Sequence, residues 1–307
     1  MPVTSAESEL RSRAPRACAW CGSALDGGSE RRAAGVVCGG CGVANTDPWP
    51  TAAELDAAYG DWYRPSSGRF SGLGDALLRR TRGRLAQRLD EIAPPGPVLD
   101  VGAGDGALLD ALAARGRPAL GLERESTRSD VRAGGVADVE GDWAAVVFWH
   151  SLEHLASPGA EIERAAERLA PRGVVVIAVP NAASLQARLF GDRWLALDFP
   201  RHLVHIPAGA LVDRLRSLSL NVERVSFWRG GQVLFGWLHG IVAMLPGRPD
   251  LYDAVRRPEA RRRPLSATAR LAILAAAVLL APLAAAAAAV EVAARRGGTV
   301  YVEARRG

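Results

Sequence analysis

From residue 98 onward, short runs of apolar residues alternate with longer segments in which apolar positions recur every three or four residues. The runs PVLDVG, PALGLE, VADV, AVVFW and VVVIAVP have the length and composition of strands. Between them, 106–115 and 158–170 read as helices, and in the second Ile162, Ala165, Ala166 and Leu169 share one face. A further helix is expected at 207–218 through Leu211, Leu215 and Leu218, and strands at 221–228 and 299–304. Strands alternating with helices predict an α/β fold built on a doubly wound, parallel sheet.

Upstream, Leu77, Leu78, Leu85, Leu89 and Ile92 make 75–92 an amphipathic helix, which Pro94, Pro95 and Pro97 terminate. Thr51 and Glu54 form a capping-box pattern for a short helix bearing Leu55 and Tyr59, and 63–74, rich in Gly, Ser and Arg, reads as a loop. Two apolar stretches, 231–246 and 271–290, interrupt what would otherwise be a hairpin between the last two strands. The second contains 11 Ala, one Pro and no charge. Arg248, Arg256, Arg257, Arg261, Arg262, Arg263 and Arg270 lie between the two stretches and oppose translocation. Two arrangements follow: both stretches lie in a membrane interface with the arginines on anionic headgroups, or they form an Ala-rich helical hairpin packed on the core or in a dimer.

The chain therefore divides into a module at 1–50, a helical linker at 51–96, a core at 97–230, an apolar helical insertion with an Arg-rich linker at 231–298, and a last core strand at 299–307. A length of 307 residues with 49% hydrophobic and 23% charged positions excludes disorder, collagen and a disulfide-stapled miniprotein. All 38 basic positions are arginine and 56 positions are alanine, so the net charge of +5 reflects a composition-wide bias more than a partner. The arginines do not interleave with aromatics on a strand face, and no nucleic-acid partner is expected. Residues 1–17 hold no apolar stretch resembling a signal peptide, which makes the cytoplasm the expected compartment.

Cys18 and Cys21, then Cys38 and Cys41, form two C-x-x-C knuckles of the kind that hold one tetrahedral zinc through four thiolates. With four ligands and no open position, the zinc expected here is structural. Glycines at 22, 39, 40 and 42 permit the backbone to fold around it.

The first strand of the alternating region runs into VLDVGAGDGA, with a helix directly behind it. This passes the loose dinucleotide fingerprint, yet Asp100 and Asp105 would then face a pyrophosphate. Two carboxylates suit a cation, and S-adenosylmethionine carries an ammonium and a sulfonium but no phosphate. Glu123 ends the second strand, where an acid accepts hydrogen bonds from ribose hydroxyls.

The knuckles followed by DPWP at 47–50, VLDVGAGDG at 98–106, WHSLEHL at 149–155, AVPNAASL at 178–185 and LDFPRHLVHI at 197–206 resemble the class I S-adenosylmethionine-dependent methyltransferases. The resemblance is strongest to a bacterial subgroup with an N-terminal zinc-ribbon-like module. It implies a seven-stranded Rossmann-like sheet with an antiparallel last strand, and cofactor binding by Asp100, Gly102, Gly104 and Glu123. The charge argument adds Asp105.

Four of the five histidines fall in two segments, His150-Ser-Leu-Glu153-His154 and Arg201-His202-Leu-Val-His205. The first is similar to the E-x-x-E-H segment through which some methyltransferases bind a divalent metal, with His150 in place of a glutamate. The other reading makes His150 or His154 the base that takes a proton from the acceptor, with Glu153 fixing the loop. His202 and His205 are expected to close over the acceptor. The expected activity is O-methylation of a glycan, a lipid-linked intermediate or a quinone-like small molecule, with peripheral contact to the cytoplasmic face of a membrane. The rival is a non-catalytic scaffold of the same fold that binds a partner through its ribbon.

Overall fold

The computed structural model describes residues 13–25, 29–60, 70, 73–228 and 231–307. Most of the loop expected at 63–74 lies outside them. In chain order come strands β1 (Arg31–Arg32), β2 (Gly35–Val37) and β3 (Ala44–Asn45), helices α1 (Ala52–Ala58) and α2 (Leu73–Ile92), then β4 (Val98–Val101), α3 (Ala107–Ala113), β5 (Ala119–Glu123), β6 (Val131–Ala133) and β7 (Trp143–Trp149). There follow α4 (Pro158–Glu167), β8 (Leu169–Pro180), α5 (Leu185–Phe190), β9 (Val204–His205), α6 (Ala208–Ser217), β10 (Leu220–Ser226), α7 (Gly231–Ala243), α8 (Leu251–Val255), α9 (Ala267–Ala293) and β11 (Thr299–Arg306). They group into two compact units. One comprises Gly72–Pro180, Ala208–Ser226 and Val300–Gly307; the other comprises Met1–Ser71, Asn181–Pro207 and Phe227–Thr299. The segment Asn181–Pro207 thus groups with the N-terminal module and the insertion, and α2 groups with the sheet.

The first unit is built on a seven-stranded sheet in the order β10-β11-β8-β7-β4-β5-β6. The neighbours β4/β5, β4/β7, β5/β6 and β7/β8 are parallel, and β10 pairs antiparallel with β11. Strand order reverses at β4, which has β5 on one side and β7 on the other. Residues Val174 through Val179 of β8 are all buried, as a central parallel strand covered on both faces requires. Leu85, Leu89, Leu108, Leu112, Val98, Val147, Val176 and Tyr301 pack into one core that joins α2 and α3 to the sheet. Arg88 of α2 grips the buried carboxylate of Glu303 in β11 through two bonds of 2.9 and 2.8 Å, with Tyr301 donating a third of 2.7 Å.

Two element readings change. The apolar VADV run is a single turn of 3₁₀ helix at Val136–Asp138, and the strand in that region is Val131–Ala133. Gly134 takes a φ of +124° and the Asp138 carboxylate accepts the Gly135 N–H at 2.8 Å, so the chain turns before VADV instead of extending through it. Helix α4 stops at Glu167, and Leu169, expected on its apolar face, opens β8. Both positions are apolar in either geometry, which is why periodicity alone misplaced them.

In the second unit α9 packs one face against α7 and α8. Phe190, Trp194, Val233, Trp237, Ala284 and Ala288 form one cluster, and Val242, Leu251, Ala254, Ile273 and Ala277 form another. A Cβ on Gly240 would stand 2.2 Å from the Phe190 ring, so glycine lets α5 approach α7 this closely. The opposite face of α9 carries Leu271, Val278, Leu279, Leu283 and Val290, all exposed. Helix α9 is long and apolar enough to cross a membrane, by length and composition only. Six of the seven arginines expected on headgroups make contacts within this unit: Arg256 is buried over the Tyr252 ring, Arg257, Arg261 and Arg270 donate to the carbonyls of Phe70, Arg256 and Ala254, Arg248 pairs with Asp192, and Arg262 with Asp198.

Candidate functional site

In an open parallel sheet, ligands bind beyond the carboxyl ends of the strands where strand order reverses. The loop 102–106 leaves β4 at that point, and α3 begins directly behind it. Gly102, Gly104 and Gly106 take φ values of +81°, +62° and +78°, a left-handed run that side chains resist. A Cβ on Gly102 would stand 2.3 Å from Ser151 Cβ, and one on Gly106 would meet the Arg128 guanidinium at 2.6 Å. The loop is pinned by the Gly102 and Ala103 amides, which donate to the Leu122 carbonyl, and by Gly104 N–H, which donates to Glu123 Oε2 at 2.8 Å. Glu123 therefore serves the loop through one oxygen, while the other accepts the Arg124 N–H at 3.1 Å.

Asp100 is buried in β4. Burial pushes its carboxyl up to about 7; Glu123 and Asp105 add to the rise, and Arg82 of α2 opposes it. Two further acids thus act on the buried Asp100 carboxyl. A cation is the ligand that such a cluster accepts, because it favours the ionised form that burial disfavours. Arg82 and Ser151 were not singled out by sequence. The Arg82 guanidinium lies 5.0 Å from the Trp149 ring centre, and Ser151 Oγ donates to the Val101 carbonyl. Both contacts are tertiary, and neither residue carries a local signature.

The loop after β7 holds the first histidine segment. His150 has a φ of +54°, and its N–H donates to the Ala178 carbonyl at 2.8 Å. Its Nδ1 is 3.6 Å from Glu153 Oε1, and Leu152–His154 form one 3₁₀ turn. The Glu153 carboxylate is buried, whereas His150 and His154 are partly exposed.

In the other unit lie His202 and His205, both buried, with ring centres 6.4 Å apart. His202 Nδ1 is 2.8 Å from the Ala196 carbonyl and His205 Nε2 is 3.2 Å from Thr46 Oγ1. Burial opposes ionisation of the neighbouring Asp198, but His202, Arg201 and Arg262 outweigh it and hold the carboxyl well below its usual range.

The cysteine knuckles belong to this second unit. The Gly22 N–H donates to Cys18 O and the Gly42 N–H to Cys38 O, each at 2.8 Å, with φ values of +76° and +74°. Of the four glycines expected to shape the knuckles, Gly22 and Gly42 are those that need glycine's conformational freedom. The four sulfurs all lie within 4.8 Å of one another, with Cys18–Cys41 and Cys21–Cys38 at 3.6 Å. Tetrahedral Zn–S bonds of about 2.3 Å imply an edge of about 3.8 Å, so the cluster fits zinc. Cys18 and Cys41 act as one coupled pair: their contact holds the Cys18 thiol down and, together with burial, pushes the Cys41 thiol up.

A family model described as a methyltransferase domain matches residues 76–225. No curated protein matches the chain. Among solved structures, the chain is similar to an S-adenosylmethionine-dependent methyltransferase from Archaeoglobus fulgidus, at 14% identity over 74% of this chain and 94% of that one, with a TM-score of 0.44. It is also similar to the 1,6-didemethyltoxoflavin-N1-methyltransferase of Burkholderia thailandensis, at 16% identity over 60% and 86%, with a TM-score of 0.43. The match at 76–225 spans the reversal of strand order, the glycine loop and the acid that ends β5, and over those residues the chain carries a methyltransferase domain.

Proposed function

We propose that this protein O-methylates a glycan, a lipid-linked intermediate or a quinone-like small molecule, using S-adenosylmethionine bound at the end of β4. The observation that carries the reading is buried Asp100, held near neutrality beside Glu123 and Asp105. When bound, the cofactor supplies an electrophilic methyl group on a sulfonium. Asp100 and Asp105 then face its positive charge, Glu123 accepts from its ribose, and Gly102 and Gly104 let the backbone approach it. His150 or His154 takes the proton from the acceptor hydroxyl, and Glu153, 3.6 Å from His150, orients that ring. His202 and His205 contact the acceptor. The Cys18, Cys21, Cys38 and Cys41 cluster holds a structural zinc.

The protein works in the cytoplasm, with the exposed apolar face of α9 resting on the cytoplasmic face of a membrane, an arrangement that suits a lipid-linked acceptor. Calorimetric titration with S-adenosylmethionine, followed by transfer of labelled methyl to a cell extract, tests the activity. Binding and a labelled lipid or glycan are expected, and replacing His150 or His154 by Ala should lower turnover by about 10² to 10⁴ with cofactor affinity kept. Absence of binding overturns the reading. Binding without transfer to any extract component favours a scaffold.

A further inference from the structure

The knuckles and the segment bearing His202 and His205 share one β-structure. Strand β9 adds to β3 antiparallel, with Ala44 opposite His205 and Asn45 opposite Val204. The ribbon's sheet, β1-β2-β3, is thus completed by a strand that lies in sequence between β8 and β10. Asn45 is fully buried. Its Nδ2 donates to Cys18 Sγ at 3.5 Å and its Oδ1 accepts the Ala19 N–H at 2.8 Å, so one side chain holds the first knuckle at both sulfur and backbone. The next residue turns the other way, as alternation along an extended chain requires. Thr46 Oγ1 donates to the His202 carbonyl at 2.7 Å and lies 3.2 Å from His205 Nε2, and its N–H donates to the Leu203 carbonyl at 2.9 Å.

We propose that Asn45 and Thr46 are positioning residues through which zinc in the four-cysteine cluster sets the conformation of His202 and His205. Strands of two or three residues do not hold a sheet by themselves, and in so small a module the metal supplies the folding energy. With zinc bound, Cys18 is fixed, Asn45 keeps its sulfur and amide partners, and β3 presents a rigid edge to β9. Without it the four thiols lose their common anchor. Asn45 then loses its fixed partner, and Thr46, one residue along, carries that loss to three groups of the 202–205 segment. The coupling stands on these contacts alone; its consequence for catalysis rests on reading the two histidines as acceptor contacts.

Hydrogen exchange of the full-length protein, resolved by peptide, tests the coupling with and without zinc removal by a chelator, zinc content being measured in parallel. Amides at 203–206 should exchange about tenfold faster after removal, the equivalent of one lost hydrogen bond, while those of β4 stay unchanged. Should removal unfold the chain, zinc-loaded Thr46→Val serves instead: the same local acceleration is expected at one zinc per chain, with Thr46→Ser restoring protection. Protection at 203–206 that is indifferent to both zinc and Thr46→Val overturns the proposal, as does a chain that binds no zinc. Cofactor binding, measured on the same samples, reports separately on the methyltransferase reading.

Discussion

The backbone N–H and the side-chain amide of Gln186 both donate to the carboxylate of Glu291, each at 2.9 Å. The two residues lie in α5 and α9, and Trp237 Nε1 of α7 and the Gly298 N–H fill the remaining acceptor sites at 3.0 and 3.1 Å. One fully buried carboxylate thus gathers three helices and the entry to β11. Glu291→Gln keeps the shape but turns an amide toward four donors, so at least one donor is stranded, at a cost of about 1 to 3 kcal/mol. Urea denaturation measures this. An unchanged midpoint would show that the donors find other partners.

Asp100 makes both stability and binding depend on pH. Its folded-state value, about 7, lies above the ordinary aspartate value of about 3.9. Between those limits the folded chain holds a proton that the unfolded chain has released, so this group's contribution to stability falls as pH rises through the window and is fully lost above pH 7. A cationic cofactor needs the opposite, ionised form. Affinity for S-adenosylmethionine should therefore weaken below pH 7, by up to about tenfold per pH unit. In Asp100→Asn the pH dependence should vanish and affinity should be low throughout. Calorimetry across pH 5.5 to 8.5, a range set about the expected midpoint, decides the matter.

Gly102→Ala combines a φ of +81° with a Cβ placed 2.3 Å from Ser151 Cβ. The β4 loop or the turn after β7 must shift. Cofactor affinity is expected to drop at least tenfold, since strain of about 1 to 3 kcal/mol falls on the binding loop itself. Gly141, with a φ of +102° and open space around it, is the control: Gly141→Ala should leave binding untouched. Equal losses in both variants would attribute the effect to general destabilisation.

The exposed face of α9 predicts binding to anionic vesicles. Leu279→Glu, placed where the side chain is 80% exposed, should abolish co-sedimentation with such vesicles without altering thermal stability. Soluble behaviour of the unaltered protein in the presence of vesicles would assign this face to another partner.

Much of the molecule follows from local rules. The two knuckle spacings, the Thr51 and Glu54 capping box, the left-handed glycine run after β4 and the acid closing β5 are set by sterics and hydrogen bonding within a few residues, and each occurs where the pattern placed it. The alternation of strands and helices likewise implies a doubly wound sheet, because parallel strands need crossovers that cover both faces. Tertiary structure decided what short-range patterns leave degenerate. Leu169 and the VADV run are apolar in either period, and only the sheet's register and the turn at Gly134 choose between them. The seating of Ser151 over Gly102, the charge of Arg82 on Asp100, the gathering of donors around Glu291 and the pairing of β9 with β3 join residues distant in sequence. Such contacts depend on where the chain returns after closing long loops, a choice governed by the packing of whole elements and carried by no single segment.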